Sequence, residues 1–361
     1  MEFVLSQSEQ LANVVTKLSV PGFSVAAVKK DQILLTKGFG LADIKQETPS
    51  TPETIYMWFS MTKIATATAI MQLVDKGKLD LDDKVSEYIP NFPTSKDSQS
   101  PRIRHLLNHS SGLANPIPIR WVHPASEPGL DSNEFFNKLI TKHGKLKFTP
   151  GEKASYSNLG YLALGNIITA SSGMTYKDYV TTNILKLTGM QQTDFYYNEN
   201  MLESAAVGYQ KRWSAMSLLL PLMRVPKGVV GKRVGDYIAF NRFYLDGSAY
   251  GGLIGNIRDA ARLIQVHTND GWVDGIQILS KESVKLTQQI SATGNRLDVG
   301  FGWFREHDSS EQVSYLQQIG GGAGFFNVMR IYPKESLGIV VMGNSTSYNI
   351  EQVIDIVRSM V

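Results

Sequence analysis

The sequence predicts an α+β fold: an antiparallel sheet flanked by helices, plus an all-helical domain inserted in the middle. Three observations point to it. Strand-like runs gather near the two ends of the chain, helical spacing fills the centre, and Pro, Gly and Ser clusters separate the segments. Taken in order, residues 5–18 fit an amphipathic helix that stops at Pro21-Gly22. "FSVAAVKK" and "QILLTKGFG" then read as two strands joined by a tight turn. Residues 60–77 are Ala- and Met-rich with helical spacing, up to Gly77. Residues 103–113, 156–172 and 175–188 read as further helices, separated by "SSGL", "FTPGE" and "SSGM". Near the end come the short strands "VGFGWFRE", "QVSYLQQI", "GFFNVMRIY" and "LGIVVMG", and a last helix at about 348–360. Strands from both ends can share one sheet covered by the terminal helices. The expected division is therefore 1–75 together with 250–361 as an α/β sandwich, and 76–249 as the helical insertion. The cleft is expected at the seam.

Composition narrows the function. Hydrophobic residues make up 42% of the 361 and charged residues 19%, enough apolar material for a sizeable core. The net charge is +3, with no basic stripe interleaved with aromatics, so no nucleic-acid partner is expected. There is no cysteine, which excludes disulfides, thiolate metal sites and cysteine nucleophiles. The opening "MEFVLSQSEQ" has no basic region followed by an apolar one. A soluble, cytoplasmic protein is thus expected, or a periplasmic or secreted one if a leader has been removed. The most apolar stretch, "SAMSLLLPLMRV", is too short to span a bilayer and contains a proline. No internal repeat is present, and the oligomeric state is not legible.

The chemistry centres on "WFSMTKIATA", residues 58–67. Ser60 stands where an aromatic segment gives way to a helix, and Lys63 follows three positions on. Residues three apart share a helix face, with Cβ atoms roughly 5–6 Å apart, so the lysine can reach the hydroxyl. Unpaired N–H groups at a helix start favour the anionic oxygen of a tetrahedral intermediate. Tyr56, Trp58 and Phe59 would exclude water, and a buried lysine has a lowered pKa and can act as a base. A second motif is Tyr156-Ser157-Asn158, between a Pro-Gly turn and an apolar-periodic helix. Ionising a phenol at pH 7 costs roughly 4 kcal/mol. A Lys63 cation nearby would offset much of this by favouring phenolate. The Asn158 amide could orient Lys63 and bond a substrate carbonyl. Tyr196-Tyr197-Asn198 repeats the spacing but stands in a polar stretch with no helix expected after it. The third motif is "QQIGGGAGFF", 317–326, whose glycines let a backbone approach something closely. No helix opens after it, so it is not a dinucleotide fingerprint. "GVVGKR" fails as a phosphate loop as well, with Pro226 and Arg233 at the diagnostic positions.

The three motifs in this order resemble the serine β-lactamase and penicillin-binding protein superfamily, most of all class C β-lactamases and the related family VIII esterases. The resemblance covers nearly the whole chain and includes "IRHLLNHSSGL", "PGEKASYSNLGYLALGNII", "YGGLIGNIRDAARLIQ" and "GGGAGFFNVMRIYP". It implies Ser60 as acylated nucleophile, with Lys63 and Tyr156 sharing the acid/base work. It further implies Asn158 holding Lys63 and substrate, and the N–H groups of Ser60 and Gly321 as oxyanion hole. No metal or organic cofactor is implied.

One departure matters. Relatives carry Lys-Thr-Gly, Lys-Ser-Gly or a histidine variant where this chain has Gln318-Ile319-Gly320. Gln318 can donate a hydrogen bond but holds no charge for a substrate carboxylate, and a charged hydrogen bond is worth roughly 1.5–3 kcal/mol. The expected activity is therefore hydrolysis of neutral carboxylic esters, with weak β-lactamase activity. The alternatives are a class C-like β-lactamase or DD-peptidase, and a non-catalytic scaffold of the same fold. A carboxylate, if bound, would need another cation such as Arg330 or one from 212–233. His105 and His109, four apart on an expected helix, are taken as structural, because no third metal ligand accompanies them. The stretch 212–233 is apolar then basic and reads equally as a flap over the acyl pocket or as packing of the insertion. Membrane contact ranks well below both.

Overall fold

The computed structural model describes residues 7–18, 20–96, 99–214, 217–218, 220, 223–307 and 314–361. The starts of the expected first helix (5–6) and of the "QVSYLQQI" strand (312–313), and parts of the 212–233 flap, lie outside the described residues. Nine antiparallel strands form the main sheet. Their spatial order is Ala292–Gly294, Leu297–Val299, Phe304–His307, Ser314–Gly322, Phe325–Tyr332, Leu337–Gly343, Gly22–Lys29, Gln32–Asp43 and Thr48–Pro49. The two ends of the chain thus meet in mid-sheet, with Phe23 opposite Gly343 and Lys29 opposite Leu337.

The central strands are buried on both faces, which is why they read as continuous apolar runs rather than as alternation. Ala26, Val28, Met329 and Val340 face one core, with the helices Thr62–Asp75 and Ile257–Thr268. Val25, Ala27, Ile339 and Val341 face the other, with the terminal helices Gln7–Leu18 and Ile350–Arg358. Asn256 and Asn349 cap the helices that follow them, each accepting from an N–H three residues on.

The middle region is helix-rich, with Ser132–His143 and Asn158–Ser172 as its long helices. It is not helical throughout. Val122–Pro124 pairs with Phe243–Leu245, and Tyr209–Lys211, Tyr237–Phe240 and Val230–Val234 form a small sheet. The segment expected as one helix over 103–113 is helical only at Ile103–Leu107. His109 takes φ +57°, which turns the chain out of the helix, so His105 and His109 share no helix face. His105 Nδ1 instead accepts from the Arg102 N–H, and burial together with Arg102 and Arg104 lowers its pKa to about 4. Asn198 caps a five-residue helix at Glu199–Glu203, so a helix does follow Tyr196-Tyr197-Asn198. Tyr196 itself is 48% exposed.

Candidate active site

Ser60 lies in a 3-10 turn, Phe59–Met61, that runs into the helix Thr62–Asp75. Phe59 before it is buried with φ +49°, a costly conformation for a bulky residue. Surrounding contacts hold it there. The Trp58 N–H bonds Leu253 O at 2.9 Å, and Asn327 Nδ2 donates to Met57 O at 2.8 Å. The glycine run of the Ser314–Gly322 strand lies against this turn. A Cβ on Gly320 would fall 2.0 Å from Trp58 O, and one on Gly322 would fall 2.0 Å from the Phe59 ring. The expectation that these glycines permit a close approach is thus met by a named contact.

Lys63 is fully buried. Its Nζ lies 3.0 Å from Ser60 Oγ, 2.8 Å from Asn158 Oδ1 and 2.7 Å from the Tyr250 carbonyl. No ion pair joins it to a described carboxylate. Burial without a counter-charge pushes its pKa well below the ordinary lysine value. Tyr156 Oη sits 2.8 Å from Ser60 Oγ, and its ring packs against His109 at 4.5 Å and Phe304 at 5.9 Å. Burial pushes the phenol up, against the smaller opposing effect of the Ser60 hydrogen bond. The expected phenolate stabilised by a lysine cation is therefore corrected. In one dry site both groups favour their neutral forms, an amine and a phenol.

The Tyr156-Ser157-Asn158 segment is fixed by the turn after Leu107. Ser155 N–H bonds His109 O at 2.8 Å, Ser157 N–H bonds His109 Nδ1 at 3.2 Å, and Ser157 Oγ donates to Ala114 O at 3.0 Å. Ser157 caps the helix Asn158–Ser172, which places Asn158 at its first position, facing Lys63. The sequence reading named Ser60, Lys63, Tyr156 and Asn158, which the fold brings together; it took His109 as structural but on a helix rather than in the turn that holds Tyr156, and it missed the Tyr250 carbonyl. For His109 a signal was present: the Ser110-Ser111-Gly112 punctuation forbids the helix from continuing. A backbone carbonyl contributed by a distant residue leaves no such trace.

Beside Ser60 opens a cavity of about 410 Å³. Phe59, Ile119, Val122, Phe243, Leu245 and Met223 line it together with Gly321 and Gly322, and among the described residues no charged side chain does. Leu220, Met223, Val225 and Val229 belong to it, so the 212–233 stretch supplies pocket wall at these four residues. Gln318 is not part of this lining. It is 2% exposed, and its Nε2 donates to Ile319 O at 3.1 Å. Arg330 is unavailable as a substitute cation. It faces the opposite side of the sheet and pairs with Glu351 at 2.6 Å.

Comparison with known proteins agrees with this geometry. The family model described as Beta-lactamase matches residues 9–356. Penicillin-binding protein 4* of Bacillus subtilis (strain 168) is 28% identical over 327 residues, covering 89% of this chain and 67% of that protein. The chain spans 62–67% of the length of the first curated relatives it matches. Among solved structures, D-amino acid amidase from Ochrobactrum anthropi SV3 superposes with a TM-score of 0.77 at 20% identity, covering 99% of this chain and 100% of that one. EstCE1, described as a hydrolase with promiscuous acyltransferase activity, gives 0.71 at 19% identity over 94% and 93%. At such identities these two likenesses concern the fold alone. With a match over nearly its whole length and a β-lactamase-type fold, the chain belongs to the Beta-lactamase family of serine hydrolases.

Proposed function

We propose that this protein hydrolyses neutral carboxylic esters with short to medium apolar acyl groups, through an acyl-enzyme on Ser60. The observation that carries the reading is the apolar, uncharged cavity against Ser60. Lys63, whose pKa burial lowers, accepts the Ser60 proton as Oγ bonds to the carbonyl carbon. The N–H groups of Ser60 and Gly321 receive the oxyanion. Tyr156 then gives its proton to the departing alkoxide as the C–O bond breaks. Tyr156, left as phenolate, takes the proton of the attacking water, and Lys63 returns its proton to Ser60 Oγ as the acyl–oxygen bond breaks, so the acid is released and all three groups regain their starting forms. Asn158 orients Lys63 throughout.

Two observations bear on the alternatives. The relatives favour a β-lactamase or penicillin-binding reading, but such substrates bring a carboxylate, and among the described residues no charged side chain lines the cavity. A non-catalytic scaffold would have no use for a buried, uncompensated lysine against a serine. Intact-mass spectrometry after a fluorophosphonate should show one adduct, absent in Ser60→Ala, whose melting temperature stays unchanged. The same variant should lose about 10⁴-fold or more in p-nitrophenyl butyrate hydrolysis. Full activity in that variant sinks the mechanism, and a cephalosporin turned over with higher kcat/KM than the butyrate reverses the substrate ranking.

A further inference from the structure

We propose that the protein docks on an anionic lipid surface through the exposed side chains described between 211 and 233, with the cavity mouth turned toward the bilayer. From 204 to 235 the chain has six basic residues and no acidic one. Lys211, Arg224, Lys227, Lys232 and Arg233 are exposed, and none of these five is ion-paired with a described residue. Asp236, three positions beyond Arg233, is the first acid after the run. Large apolar side chains stand among these cations. Trp213 is 76% exposed, Leu218 71%, and Ile117, which lines the cavity, 77%, the three most exposed large hydrophobics described.

The segment is two-sided. Leu220, Met223, Val225 and Val229 turn inward and wall the cavity. Leu218, Arg224, Lys227 and Val230 are exposed. Ile117 belongs to both, lining the cavity and projecting outward. Leu218, Arg224, Lys227 and Val230 thus alternate along the chain with residues that wall the cavity, and Ile117 joins them at its lining. Aromatic and aliphatic side chains that enter the headgroup region, beside Lys and Arg that meet anionic lipid, are what interfacial binding requires. A protein partner would have to supply acidic groups around an apolar centre in matching geometry. A bilayer of anionic lipid supplies both over its whole surface. No described helix is long and apolar enough to cross a membrane, so the contact is peripheral. Docking does not depend on the proposed ester hydrolysis. If that reading also holds, sparingly soluble esters would enter the cavity from the lipid side.

The test uses the full chain with vesicles of phosphatidylcholine alone and of phosphatidylcholine mixed with phosphatidylglycerol. The protein should co-sediment with the mixed vesicles only, and added salt should release it. Lys232→Glu with Arg233→Glu should weaken binding by at least about fivefold per cation removed. Trp213 emission should shift to the blue on binding, a shift that Trp213→Ser abolishes. Melting temperatures of the variants should match the parent, which separates lost docking from lost folding. Equal binding to both vesicles, no binding to either, or binding unaffected by the charge reversals overturns the proposal. A dimer that forms without lipid and is lost in Trp213→Ser, together with absent vesicle binding, overturns it in favour of contact between two copies.

Discussion

Gln317 and Gln318 are neighbours on one strand, and the two faces they serve are finished to different degrees. Gln317 Oε1 accepts from Arg330 Nη2 at 2.7 Å and Nε at 3.2 Å. Arg330 in turn pairs with Glu351 and lies 3.8 Å over the Tyr315 ring. On the cleft face, Gln318 donates only to its neighbour's carbonyl, and its buried Oε1 has no partner. His109 Nε2, Trp58 Nε1 and Tyr250 Oη on the cleft side are likewise buried and unpartnered, whereas no described residue of the outer core is. An unsatisfied buried polar group costs roughly 1–3 kcal/mol. The outer face is built for stability, and the cleft face holds groups that a bound substrate or the reacting atoms can engage.

Four substitutions break or sharpen that contrast. The largest effect is expected from Lys63→Met, which should cut ester kcat/KM by about 10³–10⁴-fold. Its effect on stability should run the other way. The folded-state pKa of Lys63 lies below its unfolded value, so between those two values the unfolded chain binds more protons and stability rises with pH. The penalty is complete below the folded pKa and gone above about 10.4. Lys63→Met should thus raise the melting temperature at pH 7 and leave it nearly unchanged at pH 10.5. Equal gains at both pH values would mean that packing, not charge burial, is responsible.

Gly320→Ala comes next. Its Cβ would meet a backbone oxygen at 2.0 Å, so the strand or the Ser60 turn must move. A displacement near 1 Å at the nucleophile costs about 10²-fold in rate, and overpacking costs about 1–3 kcal/mol. Parent-like kinetics would show that the turn does not need this contact. On the outer face, Arg330→Met should cost about 1–3 kcal/mol in denaturant unfolding, limited because Glu351 is half exposed. Ester kcat/KM should stay within about twofold, and a larger change would couple the two faces. Gln318→Lys should have the smallest effect on substrate binding: Gln318 is buried and off the cavity lining, so KM for anionic β-lactams and for neutral esters should both stay within about twofold. A fall of about tenfold in KM for the β-lactams alone would instead place residue 318 at a carboxylate subsite.

Much of this was legible in the chain, for reasons that also mark where legibility ends. The end strands carry apolar runs bounded by turns, and Ser60, Lys63, Tyr156 and Asn158 stand in local patterns that a helix start or a cap explains. The helix expected over 103–113 failed because its spacing was read past a Ser-Ser-Gly stop. The phenolate failed because charge proximity was weighed without burial, and burial decides the ionisation of both groups. The small strands at Val122–Pro124 and Phe243–Leu245 were missed because each is three residues long and owes its pairing to a partner over a hundred positions away.

The meeting of the two chain ends in mid-sheet has a consequence for how the molecule is made. The Gly22 N–H bonds the Asn344 side chain 322 positions away at 2.7 Å, beside the pairing of Phe23 with Gly343. At about 5–20 residues per second, the first strand leaves the ribosome roughly 15–60 s before its later neighbour exists. It can pair at once with Gln32–Asp43, but its other edge stays open for that time, a template for wrong partners that a holding chaperone would cover. Gly320, which seats the Ser60 turn, also arrives late. A half-made chain therefore carries Ser60 and Lys63 without the surface that shapes them, and hydrolytic competence should switch on only once the Ser314–Gly322 strand has been made.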